Sequence, residues 1–234
     1  MSAFVTMTAE KIESERRRSR PVEKPKKVAV IKRNKARVGI VLVIIAMVII
    51  AALAVIYIHP AKNRVAVIDT TMGIIRVELY EDKAPITTAN FIKLVNDGFY
   101  SGLVFHRVAN LDPSAPTTHV IQGGGFYANG TYKTSPYDPI DLETTDLLHD
   151  DGAIAMARTT DPNSATSQFY ICDGPQHSLD GNYAVFGKVV DNTSMAVVRA
   201  IANVQTTTKT VQGQSMSDWP VNNVIIRSIT IQNQ

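Results

Sequence analysis

A single cysteine, Cys172, stands in the 234-residue chain, which excludes an intramolecular disulfide framework and any zinc site built on several thiolates. Proline and glycine, 11 and 13 residues, are too few for a collagen-like or low-complexity chain. Metal-binding spacing is missing too. The five histidines form no HxxxH or HxH pair, and His149 beside Asp150-Asp151 reads as part of a solvated loop. No GxSxG elbow offers a serine nucleophile, and Gly123 to Gly125 lack the Lys-Ser/Thr pair of a phosphate-binding loop. No internal repeat is visible. What remains is a chain of 45% apolar content, long enough for one ordinary globular domain plus extensions.

The net charge of +3 averages two unlike parts. Residues 1–37 carry 12 Lys/Arg against 4 Asp/Glu, and residues 59–234 carry 12 against 17. Between them Val38 to Ile58 contains no charge at all. As a helix it spans roughly 31 Å, matching a hydrocarbon core of about 30 Å, so residues 38–58 are expected to be a transmembrane helix in contact with lipid. Two alternatives stay open: a buried core helix, and a signal peptide cleaved near Ala52-Leu53-Ala54, although 37 residues precede the apolar run. Lys32, Arg33, Lys35 and Arg37 abut the span on one side and only Lys62 and Arg64 on the other, which keeps the N-terminus cytoplasmic and places the C-terminal domain outside the cytoplasm. The tail 1–37, with Arg16-Arg17-Arg18, is too polar to form a core and is expected to be disordered. Its charge suits anionic lipid. Nucleic acid is not expected as a partner, because Phe4 is the tail's only stacking side chain.

After a linker at 59–64 the pattern changes to alternation. Val65 to Asp69 and Ile75 to Tyr80 read as strands joined by a turn at Thr70 to Gly73, with Ile75, Val77 and Leu79 toward the core. Pro85 suits the first turn of a helix that Gly98 ends. Short strands are expected at Leu103 to Val108, Ala153 to Ala157, Gln168 to Cys172 and Ala184 to Val190. A second helix fits Ser194 to Ala202, and Val224 to Ile231 closes the chain. Many short strands with two helices predict a β-barrel or sandwich with helices over its open ends.

Phe105-His106-Arg107-Val108, Val120-Ile121-Gln122-Gly123-Gly124-Gly125-Phe126, Ala155-Met156-Ala157-Arg158-Thr159, Ser164 to Ile171, Leu179-Asp180-Gly181 and Val185 to Val190 resemble, in order, the signature blocks of the cyclophilin-type peptidyl-prolyl isomerases. The resemblance covers about residues 65–231, and its wording is similar to prokaryotic members. It implies a mainly β fold: a closed antiparallel barrel of about eight strands capped by two helices, here over 65–234. It also implies a peptidyl-prolyl cis-trans isomerase acting as a monomer on proline-containing polypeptides, without cofactor or metal. Arg107 and Gln122 take the catalytic positions. His119, Val120, Ala157, Arg158, Gln168, Tyr170, Leu179 and Tyr183 take substrate-binding positions, and His106 a structural one.

The chain departs from the family pattern at its pocket wall. His119-Val120 replace a common Phe-Met, Tyr170 replaces a commoner Phe, and Tyr183 replaces a frequent His. Ser178 stands where many eukaryotic members carry the Trp that contacts cyclosporin, which implies weak sensitivity to that drug. Asn110 to Thr117 look like an insertion between Arg107 and Gln122. Two functions are compatible with this pattern: an isomerase assisting the folding of proteins outside the cytoplasm, or a module that binds proline segments on the same fold without efficient turnover. Cys172 is expected to be an unreactive buried strand residue.

Overall fold

The computed structural model describes residues 40–50, 63–112, 114–115 and 118–233. The chain divides into two units, 1–60 and 61–234. In the first, residues 40–50 are helical and their side chains exposed. The remainder of the expected span 38–58, the tail 1–37 and most of the linker lie outside the described residues. Among the described residues no helix is long and apolar enough to cross a membrane.

The second unit is built on a closed eight-stranded barrel with a separate two-stranded sheet. β1 (Val65–Thr70) and β2 (Gly73–Leu79) form the expected hairpin, and Thr70 closes its turn by donating Oγ1 to the Gly73 carbonyl at 2.7 Å. Helix α1 (Pro85–Asn96) is next in the chain, then β3 (Leu103–Ala109), β4 (His119–Tyr127), β5 (Ala153–Met156), β6 (Phe169–Asp173) and β7 (Val185–Val189). Helix α2 (Asn192–Ala202), β8 (Thr206–Val211), β9 (Gln214–Pro220) and β10 (Val224–Gln232) complete the chain. Around the barrel the order is β1-β10-β3-β4-β6-β5-β7-β2, every pairing antiparallel. Closure leaves no free edge in this sheet to recruit another chain.

The interior is filled by the inward alternation of the strands, with Ile68, Ile75, Val77 and Leu79 all at zero exposure. Phe91 of α1 plugs it, its ring centroid 5.3 Å from Tyr100, 5.6 Å from Phe169 and 5.2 Å from Phe186. Such pairs add about 0.5–1.5 kcal/mol each beyond burial. Pro85 opens α1 as expected, but no neighbouring side chain caps it. Glu143, from a distant loop, instead accepts the Ile86 and Thr87 amides at 3.1 and 2.9 Å. That carboxylate satisfies two orphan donors of the first turn and complements its dipole.

Two elements escaped the periodicity. β4 carries Gly123-Gly124-Gly125, a run that weakens a strand's side-chain signal. The β8–β9 hairpin is polar and largely exposed, and its few apolar residues, Val211, Met216 and Trp219, are too irregularly spaced to read as an alternating strand.

Candidate active site

Strand residues that turn away from the barrel interior form a second apolar cluster on its outer wall: Ala109, Val120, Ala153, Ala155, Tyr170, Cys172 and Val185. Period-two alternation explains the separation, since Ile121, Ile154 and Ile171 next to these residues belong to the interior core. Against this cluster lies a cavity of about 110 Å³.

Arg107 reaches that cavity because β3 slips. Phe105 pairs with Gly123, yet Arg107 pairs with Gln122, so two steps on β3 match one on β4 and His106 is an extra, bulged residue. Without the slip, Phe105 and Arg107 would share a face. With it, Phe105 stays in the core and Arg107 turns outward. His106 itself is buried at 1% exposure between the rings of Phe126 and Trp219, at 4.8 and 5.9 Å. Burial pushes its pKa down to about 4. It is a neutral spacer, as the structural role implied.

A hydrogen-bonded relay supports Arg107. Its Nη1 donates to Gln122 Oε1 at 3.4 Å, and Gln122 Nε2 donates to Gln168 Oε1 at 3.0 Å. An acceptor toward the arginine and a donor toward Gln168 fix which way the Gln122 amide is turned. The glycine run makes the relay possible. Gly124 holds φ +87°, a left-handed conformation. A Cβ on Gly125 would stand 2.8–2.9 Å from three atoms of the Gln168 side chain. Each glycine clears a different neighbour: Gly123 the Phe105 ring and the Val104 carbonyl, Gly124 the Ser167 carbonyl and the Tyr100 ring, and Gly125 the Gln168 side chain, so the run needs no phosphate loop to explain it.

Val120, Ala157 and Leu179 line the cavity with apolar surface, beside the rings of Tyr170 and Tyr183, which meet edge to face at 5.9 Å. Arg158 also lines it, but its head group is committed elsewhere. Nε and Nη2 donate to the Asn182 carbonyl at 2.9 and 2.7 Å, Nη1 donates to the Thr159 carbonyl at 2.8 Å, and the guanidinium lies 4.6 Å from the Tyr183 ring centre. The cavity thus sees Arg158 as a brace. Gln168 lines a neighbouring concavity of about 140 Å³, which shares Gln122, Ala157 and Arg158 and adds Tyr132, Thr159, Ser164 and Thr166.

Beneath Tyr170 lies a polar chain that the spacing of the histidines did not reveal. His149 is fully buried, which corrects the solvated-loop reading. Its Nδ1 lies 2.8 Å from Asp180 Oδ1 and its Nε2 2.9 Å from the Tyr170 hydroxyl. The Nδ1–H donates to the carboxylate, so Nε2 accepts from the Tyr170 hydroxyl. Burial lowers the pKa of His149 and raises that of Tyr170, keeping both neutral. Burial alone would raise Asp180; hydrogen bonds from the His149 amide, the His149 ring and His177 outweigh it and hold that carboxyl below its ordinary value. Cys172 is buried as expected, its thiol pushed up to about 12 by burial.

His119 departs from expectation. It is not among the residues lining the cavity. Val120 and Gln122 on the same strand face it, so alternation turns His119 away, opposite Asp173 of β6. Leu111, which no sequence argument singled out, stands at the cavity instead and packs on the same apolar cluster. It comes from the inserted segment, whose length alone shows no side-chain direction.

Comparison with known proteins matches this architecture. The family described as cyclophilin-type peptidyl-prolyl cis-trans isomerase aligns with residues 65–231. A peptidyl-prolyl cis-trans isomerase of Acinetobacter baylyi is 42% identical over 156 residues, covering 64% of this chain and 78% of that protein. Peptidyl-prolyl cis-trans isomerase B of Escherichia coli is 38% identical over 173 residues, covering 69% and 96%. Among solved structures, a Cryptosporidium parvum cyclophilin-type isomerase crystallised in the presence of the dipeptide Ala-Pro superposes with a TM-score of 0.57 at 25% identity, over 73% of this chain and 99% of that one. With the family's blocks matched along the whole barrel and Arg107 and Gln122 meeting at one cavity, the chain belongs to the cyclophilin-type peptidyl-prolyl cis-trans isomerase family.

Proposed function

We propose that the chain catalyses cis-trans isomerisation of X-Pro bonds in polypeptides, and that it does so outside the cytoplasm from a membrane tether at residues 38–58. The observation that carries the activity is Arg107, held by Gln122 at 3.4 Å beside a cavity in which Val120, Leu179 and Tyr170 offer apolar surface to a proline ring. Amide resonance sets a rotation barrier of about 18–20 kcal/mol, and no covalent bond has to break. The site needs only to prefer the twisted amide over either planar form. Val120, Tyr170 and Leu179 grip the ring while the rest of the peptide turns. The Arg107 guanidinium donates to the prolyl nitrogen, whose lone pair is free to accept only when it leaves conjugation. That hydrogen bond exists in the transition state and vanishes in the planar amide, so it accelerates the rotation. Gln122 orients the guanidinium, and Gln168 orients Gln122.

Leu111 supplies an apolar wall side chain where the sequence offers His119. An apolar contact for the proline ring is therefore kept despite the substitution, opposite the polar side formed by Arg107 and Gln122, which favours turnover over passive binding. The deciding measurement is a protease-coupled isomerisation assay on a proline tetrapeptide. Arg107→Ala should lower kcat/KM at least tenfold, which is about 1.4 kcal/mol of transition-state stabilisation, with the fold intact. Unchanged turnover in a folded variant overturns the reading.

The tether is supported by the uncharged run 38–58, by the exposure of the apolar side chains at 40–50 and by the Lys/Arg bias before the run. Protease added to intact spheroplasts should remove the C-terminal unit and leave a short basic fragment in the membrane. Protection until the membrane is broken would reverse the proposed orientation.

A further inference from the structure

Asp218 has φ 62°, one of two non-glycine residues with positive φ among those described. The other, Gln212 at 50°, sits with Gly213 in the two-residue turn of the β8–β9 hairpin, where left-handed residues are required. Asp218 lies within β9, where no turn asks for it. Aspartate is among the few residues with a Cβ that adopt this conformation readily, and such conformations concentrate where a side chain must be aimed.

The register shows what is being aimed. Thr207 pairs with Trp219 but Lys209 pairs with Met216, so β9 carries an extra residue between them. The bulge gives neighbouring residues separate tasks. Trp219 is buried at 1% exposure, its ring centroid 5.9 Å from that of His106, and it donates Nε1 to Asn223 at 2.9 Å. Asp218 stays at the surface with Oδ2 3.9 Å from Nε of Arg107, and Ser217 donates to the same oxygen at 3.1 Å. The two strand bulges thus meet. Trp219 packs on the bulged residue of β3, and the residue before it faces the residue after that one.

We propose that Asp218 is a positioning residue for Arg107, selecting the rotamer that carries Nη1 to Gln122; this rests on the isomerase reading above. At 3.9 Å its carboxylate lies beyond hydrogen-bonding distance. It therefore attracts the guanidinium at the Nε end without occupying a donor, and the N–H groups stay available for the prolyl nitrogen. The two side chains are 37% and 39% exposed, so dissolved salt screens the attraction.

Asparagine and glycine both tolerate a left-handed φ, so Asp218→Asn and Asp218→Gly remove the charge while the backbone is kept. The purified full-length chain is assayed at about 0.01 M and about 1 M salt, where the Debye length falls from about 30 Å to about 3 Å. In low salt both variants should show kcat about threefold below wild type with KM unchanged, the size expected of a partly exposed ion pair. At high salt the difference should close. The thermal midpoint should hold for Asn and hold or rise for Gly. In an Arg107→Ala background, Asp218→Asn should change nothing further. Wild-type kcat in both variants, or a loss indifferent to salt, overturns the role of Asp218 while an impaired Arg107→Ala leaves the isomerase reading standing. A wild-type chain that does not isomerise proline bonds removes both.

Discussion

The Tyr170 hydroxyl donates to Nε2 of His149 at 2.9 Å, directly beneath the cavity whose wall the Tyr170 ring forms. One side chain therefore has two separable duties: the ring faces the cavity and the hydroxyl closes a hydrogen-bonded chain that runs through buried His149 to Asp180. Tyr170→Phe keeps the ring and orphans a fully buried imidazole nitrogen. Stability should fall by about 1–3 kcal/mol, the cost of an unsatisfied buried acceptor, while kcat/KM changes less than about threefold. Urea unfolding and the isomerase assay on the same preparations check both halves. Equal stability would mean the hydrogen bond contributes nothing to the fold.

Gly125→Ala should damage activity without touching a catalytic side chain. The added methyl meets three atoms of Gln168 at 2.8–2.9 Å, pushing away the acceptor that orients Gln122. A loss of kcat of about tenfold is expected, with KM within about twofold, because substrate still finds the apolar cavity. A crystal structure of the variant should show Gln168 displaced and Gln122 rotated.

The inserted segment and the strand make opposite forecasts for the pocket wall. Leu111→Ala should raise KM about three- to tenfold through lost apolar contact with the proline ring. His119→Phe should leave KM and the pH profile of activity unchanged, because that side chain faces away from the cavity. If instead activity falls on acidification in wild type and not in His119→Phe, the placement of this residue is wrong.

Acid should destabilise the domain through its two buried imidazoles. Burial depresses both, His106 to about 4 from an ordinary 6.5, and His149 downward. Above about pH 6.5 neither the folded nor the unfolded chain protonates them; below it the unfolded chain takes up protons that the folded one refuses. Stability is therefore full above about pH 6.5 and declines as pH falls, with the His106 share, about 3 kcal/mol, lost by about pH 4. Urea midpoints at about pH 7, 5.5 and 4.5 measure it. A midpoint that does not move across that range would contradict the burial of both rings.

Order along the chain is enough to locate several elements. The β1–β2 hairpin, the helix opened by Pro85 and the closing strand from Val224 all lie where alternation, a helix-start proline and apolar runs indicate. These signals are local, carried by steric limits on the backbone and by one buried face per element. The blocks around Arg107 and Gln122 likewise point to one chemistry through their wording and order alone.

Tertiary structure alone decided the rest, because each remaining feature depends on residues far apart in sequence. The bulge at His106 turns Arg107 out of the barrel, and it exists only as a register between β3 and β4. Glu143 caps a helix that begins 58 residues before it. Asp180, His149 and Tyr170 become a hydrogen-bonded chain only when three segments pack together. Leu111 stands at the wall in place of the expected His119 because a strand assigns side chains to faces by strict alternation, whereas an insertion is free to bring any one of its residues to the wall. Periodicity and turn residues thus located most of the elements, and the resemblance of the sequence blocks pointed to the site residues; the direction in which each side chain points was settled by closure of the barrel, where a one-residue slip in register sends a side chain to the opposite face.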